Sequence, residues 1–288
     1  MYLAYAAASA VFAGLTAVLA KIGVKDMDST LATAVRTVVV AAFAWLMAWI
    51  TGAAQGLADL SARALAFLTL SGLATGASWL CFYRALQIGD INRVVPIDKS
   101  STVLTMLLAL IFLGEGFTPG KGLCMAAIAA GTLLMLGRAA APAGVKPKRA
   151  AGTVYALLSA LFASLTSILA KAGLQDVDAD LATAVRTTVV LVAAWAIVFA
   201  QKKQRELRRL KPRTLVFLAL SGLATGASWL CFYRALQIGP ASVVVPVDKL
   251  SILVTVAFGC LLFHERLERR AWLGLCLITV GTVAMAAL

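Results

Sequence analysis

Two copies of the motif V-V-P-[IV]-D-K, at Val94–Lys99 and Val244–Lys249, set an acid beside a base in otherwise apolar sequence. Neighbouring residues on a helix diverge by about 100°, so Asp98 with Lys99, or Asp248 with Lys249, cannot both turn toward an apolar exterior. A second duplicated segment, L-A-T-A-V-R-T, places Arg36 and Arg186 ahead of Val-rich runs. Lys21 and Lys171, and Arg84 and Arg234, complete a set of eight cations and two carboxylates within apolar stretches. Each such charge costs about 2.5–3.5 kcal/mol at the centre of a lipid-facing helix. Ten of them left unpaired would rival the whole stability of a domain, roughly 5–15 kcal/mol. They must snorkel, pair, or line a wet interior. Lys21, Arg84 and their copies fall at helix C-termini, where the dipole and the interface accept a cation. The deeper Arg36, Asp98 and Lys99, with Arg186, Asp248 and Lys249, are the candidates for binding a charged ligand or for closing a passage.

Aromatic and kinking residues accompany these charges. Gly72, Gly76, Trp79 and Tyr83 share one helical face by their i, i+4, i+7, i+11 spacing, and Gly222, Gly226, Trp229 and Tyr233 repeat it. The glycines suit close helix approach. The tryptophans lie inward of Arg84 and Arg234, a position that suits a cavity wall, with Thr75, Ser78, Thr225 and Ser228 adding hydroxyls. Pro96 and Pro246 remove a backbone donor beside each charged pair, and are expected to act as hinges. Hydrolytic and metal chemistry find no support. The single histidine is His264, the five cysteines form no C-x-x-C pair, and no H-E-x-x-H is present. The expectation is a protein that is not an enzyme and that carries no cofactor or metal.

The elements that must position these residues are membrane helices. The chain has 288 residues, 61% hydrophobic and 14% charged, with a mean hydropathy of +0.92. Apolar stretches long enough to cross a bilayer core of about 30 Å recur ten times, near 2–22, 30–51, 64–86, 92–113, 119–137, 152–173, 180–200, 214–236, 242–263 and 270–287. The halves repeat one another. Leu70–Gly89 recurs unchanged as Leu220–Gly239, and Leu31–Thr37 as Leu181–Thr187. The sequence thus predicts an all-α integral membrane protein with two five-helix repeats, residues 1–138 and 151–288, joined by a cytoplasmic linker, 139–150. Five crossings per copy is odd, so the second copy must run opposite to the first, the inverted arrangement common in secondary transporters.

The formal net charge of +13 would suggest nucleic acid on a soluble protein, but here it sorts by side. The loops after segments 1, 3, 5, 7 and 9 hold 16 Lys and Arg, seven of them in Gln201–Arg213, and the opposite loops only Arg63 and Lys121. By the positive-inside rule the termini are expected outside the cytoplasm of a cell (inner) membrane. No nucleic-acid partner is expected, and the chain should be a monomer or homodimer among membrane lipids.

Two five-helix repeats, V-V-P-[IV]-D-K, the glutamates after segments 4 and 9 (Glu115 and Glu265), and Gly131–Thr132 with Gly281–Thr282 together resemble EamA-type proteins of the drug/metabolite transporter superfamily. The resemblance covers the whole chain. It implies a ten-helix basket whose segments 1, 3, 4, 6, 8 and 9 line a central cavity, used to move amino acids or other small metabolites, often outward. Carried onto this chain it points to Trp79, Tyr83, Asp98, Lys99, Trp229, Tyr233, Asp248 and Lys249. The expected function is a secondary transporter of a small metabolite, an amino acid or other carboxylate-bearing compound, working by alternating access with charged gates on both sides. A fused or designed scaffold that transports nothing, and a channel or scramblase, are the alternatives.

Overall fold

The computed structural model describes all residues except 24–27, 89–96, 99, 136–148, 176, 210–211 and 264–268. Within them the chain forms eleven α-helices and two short 3-10 helices, with no strand among the described residues. The helices are α1 (Tyr2–Gly23), α2 (Ser29–Ile50), α3 (Ala62–Ile88), α4 (Ser101–Phe112), α5 (Pro119–Met135), α6 (Arg149–Gly173), α7 (Ala179–Ala200), α8 (Pro212–Ile238), α9 (Ala241–Lys249), α10 (Ser251–Phe263) and α11 (Arg269–Ala287). Eight stretches are long and apolar enough to cross a membrane, and α4 and α5 are shorter apolar helices. One departure from the ten expected segments is the ninth, which is split into α9 and α10.

The split has a local cause. Pro246 lies inside α9 rather than in its first turn, and four residues later the ladder tightens, Leu250 N–H donating to Val247 O at 3.0 Å and Leu253 N–H to Leu250 O at 2.8 Å. Such three-residue spacing is 3-10 geometry, a usual place for a helix to change direction. The corresponding point in the first half behaves alike. Ser100 N–H donates to Ile97 O at 3.2 Å, and its hydroxyl reaches the same carbonyl at 2.6 Å. Pro96 lies outside the described residues.

Helix ends repeat between the halves too. Asp28 caps α2 by accepting from the Thr30 and Leu31 amides at 2.9 and 3.2 Å, and Asp178 caps α7 by accepting from the Asp180 amide at 2.8 Å. After α2 the chain turns through Gly52 at φ 76°, and after α7 through Lys202 at φ 57°. The turn is kept although one copy has lost the glycine that makes it free of strain.

The four most extensive helix contacts all join one half to the other: α3 with α6, α1 with α8, α5 with α11, and α2 with α7. Small residues set the distances. A Cβ added at Gly131 would stand 2.6 Å from Gly274 O, which fixes α5 against α11, and one at Gly72 would stand 2.8 Å from Val189 Cβ, which fixes α3 against α7. Between apolar helices in lipid there is little hydrophobic drive, so such close packing and interhelical hydrogen bonds hold the bundle. Large side chains such as Trp49, Ile111 and Leu123 point outward around its perimeter.

Candidate functional site

The α1–α8 and α3–α6 interfaces are laced by hydroxyls at matching places. Thr16 and Thr225 lie 3.2 Å apart across the first, Thr166 and Thr75 also 3.2 Å across the second. Ser221 donates to Thr16 O at 3.1 Å and Ser71 to Thr166 O at 2.7 Å. At one end of each ladder a serine pair meets a carboxylate. Ser9 donates to Asp248 Oδ1 at 2.6 Å and lies 3.1 Å from Ser228 Oγ. Ser159 donates to Asp98 Oδ1 at 2.7 Å and lies 3.3 Å from Ser78 Oγ. Each aspartate is therefore held by a serine of the opposite half, a charge-assisted bond that fixes α9, or the residues before α4, to the neighbouring interface.

Between these ladders lies a cavity of about 320 Å³. Trp79, Arg186, Trp229, Tyr233, Asp248 and Lys249 line it, together with hydroxyls of Thr75, Ser78, Thr166, Ser167, Ser228 and Ser251. Arg186 is its dominant charge. Only 2% exposed, it donates from Nε to Ser71 Oγ at 3.0 Å and from Nη2 to Thr75 Oγ1 at 2.7 Å. Its guanidinium stacks 4.9 Å from the Trp229 ring centre and 5.1 Å from that of Tyr233. Hydrogen bonds to a charged donor contribute about 1.5–3 kcal/mol each and a desolvated cation–π contact about 2 kcal/mol. These offset the cost of burying the cation with no carboxylate bonded to it among the described residues. Nη1 is buried with no partner among the described residues, so one arm of a planar, permanently charged fork still has hydrogen bonds to give.

Around this point the sequence candidates divide. Trp79, Arg186, Trp229, Tyr233, Asp248 and Lys249 come together on one cavity. Asp248 and Lys249 pair with each other at 3.3 Å, the lysine half-exposed. Arg36 is half-buried and Asp98 half-buried on its serine, and neither lines this cavity. Lys99 and the Tyr83 side chain lie outside what is described. The serines Ser9 and Ser159, and the threonines Thr16 and Thr166, escaped the sequence reading. Their signal is present but faint, a hydroxyl kept at the same place in both copies.

Glu115, on the stretch after α4, has a structural part away from the cavity. Its carboxylate accepts from the Ala241 and Ser242 amides at 2.6 and 2.9 Å, capping the N-terminus of α9 in the other half. Lys171 donates to Leu236 O and Gly239 O, at the C-terminal end of α8. An anion at the start of one helix and a cation at the end of the preceding one match both dipoles and clamp the α8–α9 turn. Elsewhere Lys203 pairs with Asp28 at 2.7 Å, and Arg234 with Asp178 at 3.5 Å.

A bundle of apolar helices around a small polar cavity, with its charges buried inside it, is the build of a multi-pass membrane transport protein. The sequence profile of the EamA-like transporter family matches residues 1–137 and again 150–287, and the chain belongs to that family. A relative from Sinorhizobium sp., described as an uncharacterized transporter in the cobO 3' region, is 47% identical over 132 residues, 46% of this chain and 94% of that protein. That relative is thus about as long as one half of this chain. A protein of known crystal structure superposes with a TM-score of 0.76 over 98% of this chain and 95% of its own, at 16% identity, a likeness of fold.

Proposed function

We propose that the chain is a secondary transporter of small carboxylate-bearing metabolites, amino acids foremost, that moves them across the inner membrane by alternating access. The observation that carries the reading is Arg186, a buried guanidinium with an unpartnered Nη1 on a polar, aromatic-walled cavity. A carboxylate placed there gains a charge-assisted bond in a low-dielectric setting. The indoles of Trp229 and Trp79 flank it, and Asp248 offers a counter-charge to an ammonium group.

The two halves run in opposite senses in this reading, which the matched ladders and the cross-half serine–aspartate bonds support. Asp98 with its basic neighbours closes one side, Asp248 with Lys249 the other, and Pro96 and Pro246 let the segments beside them bend. Loops bearing Lys203 and Asp28 share the cytoplasmic side, with the termini outside. Transport runs outward, and the working unit is a monomer or homodimer.

Purified protein in liposomes, loaded with a labelled amino-acid mixture, tests this directly. Efflux above that of empty liposomes, abolished when Asp98→Asn and Asp248→Asn are combined, is the expected result. No movement of any labelled carboxylate under any imposed gradient would refute it.

A further inference from the structure

The central cavity has a neighbour across its charged wall. A second chamber of about 330 Å³ opens beside it, and Ala13, Lys249 and Ser251 belong to the linings of both. The shared wall falls at the break between α9 and α10, where Lys249 ends one helix and Ser251 begins the next. The chambers differ in chemistry. Beyond Lys249 the walls include Ala17, Ile128, Pro246, Ile252 and Ile278; of the threonines among them Thr132 and Thr255 spend their hydroxyls on Ile128 O at 2.7 Å and Ser251 O at 3.1 Å, and Thr282 Oγ1 has no partner among the described residues. Six helices, α1, α4, α5, α9, α10 and α11, contribute to the lining, so the chamber lies within the bundle.

A polar, cationic chamber that shares a wall, beside a lysine, with a more apolar one fits an occupant that is itself two-part. We propose that the substrate is a 2-amino acid with a long, unbranched apolar side chain, its carboxylate on Arg186 and its side chain passing Lys249 into the second chamber. This rests on the carboxylate reading of Arg186 and adds to it a measure of side-chain length. Each further methylene buried raises affinity about fourfold, so affinity climbs along the series until the chamber is full. The flexible stem of Lys249 suits that shared wall, since it can move aside and cover apolar substrate with its methylenes while its ammonium stays on Asp248 Oδ2.

Uptake into proteoliposomes of straight-chain 2-amino acids, from alanine to 2-aminooctanoate, tests the proposal, because these zwitterions do not cross the bilayer unaided. Wild type should favour the longer members. Ile252→Trp, which fills the chamber, should lower the long-to-short uptake ratio by about tenfold or more, and Ile252→Ala, which enlarges it, should raise that ratio. Opposite shifts at one position cannot come from loss of folding, and if the tryptophan variant fails to assemble, Ile252→Ala and Thr255→Ala carry the test. Uptake of the whole series with a ratio unmoved in every variant would overturn the second chamber while leaving the carboxylate site standing. Absence of uptake of every member by wild type would overturn the carboxylate reading, and this proposal with it.

Discussion

Replacing Arg186 by methionine separates a ligand-binding cation from a structural one. The free Nη1 meeting a carboxylate in a water-poor cavity contributes about 1.5–3 kcal/mol, the range for a hydrogen bond to a charged group. At 1.4 kcal/mol per tenfold, Arg186→Met should weaken substrate affinity by about 10- to 150-fold. Folding should not suffer in parallel. Ser71 keeps its bond to Thr166 O and Thr75 its bond to Ser71 O, so no hydroxyl is orphaned, and a buried charge gives way to an apolar side chain of similar reach. The contacts that Arg186 loses only offset the cost of burying its charge, so the exchange should be close to neutral for folding. Arg186→Lys keeps the charge, but one ammonium cannot hold Ser71, Thr75 and a ligand in the same fork, so its affinity should fall between the two. The assays are concentration-dependent uptake into proteoliposomes and thermal unfolding in lipid nanodiscs. If Arg186→Met unfolds at lower temperature while its affinity stays within about threefold of wild type, less than the smallest loss expected of a charged hydrogen bond, Arg186 is a strut between α7, α3 and α8, and the reasoning fails.

Partial burial alone would raise the Asp28 carboxyl, but the Lys203 hydrogen bond and charge, with the Leu31 and Thr30 amides, outweigh it and hold it below the ordinary aspartate value. A depressed folded-state pKa makes the pair's contribution, under about 1 kcal/mol for a partly exposed pair, complete above pH 4 to 5 and lost as pH falls further; Asp28→Asn should flatten that acid limb of a stability–pH curve. Glu115→Ala removes the acceptor of two α9 amides, at a cost of about 1 kcal/mol, and should speed hydrogen exchange at Ala241 and Ser242 while leaving the interior of α7 unchanged. Lys202→Gly relieves a left-handed conformation worth about 1 kcal/mol and should raise the unfolding temperature, whereas Gly52→Ala, at the matching turn, should lower it. Gly131→Ile forces α5 away from Gly274 O, and should cost at least about 1–3 kcal/mol, read as a lower unfolding temperature in nanodiscs.

Most of the helices were legible because a bilayer demands length and apolarity, and those are properties of composition. The break at Leu250 was legible only as Pro246 four residues earlier, since proline marks a weakened helix without saying where the chain turns. Trp229, Tyr233, Arg186, Asp248 and Lys249 stood out because charge and aromatic bulk are costly to place in lipid. Ser9, Thr16, Ser159 and Thr166 did not, because a lone hydroxyl can satisfy itself on its own helix and so leaves no trace in hydropathy. Glu115 shows the other limit. Its partners are the amides of Ala241 and Ser242, more than a hundred residues away, and backbone amides have no sequence signature.

The duplication bears on how far apart two states of this bundle can lie in energy. Asp98 on Ser159 and Asp248 on Ser9 are held at 2.7 and 2.6 Å, yet Arg186 is buried while its counterpart Arg36 is half-buried. One sequence motif therefore occupies two environments at once. On the alternating-access reading, exchanging those environments gives the opposite state, built from the corresponding contacts of the other half. The gap between the states then comes only from positions where the copies differ. Gly76 packs on Ala193 where Gly226 packs on Phe43, Gly52 turns where Lys202 must, and Ser100 binds Ile97 O where Leu250 has no hydroxyl. Each difference is worth on the order of 1 kcal/mol, and 1.4 kcal/mol already shifts a two-state population tenfold. A few such substitutions suffice to choose a resting state, and substrate binding at Arg186 has only to outweigh their net sum to reverse the choice.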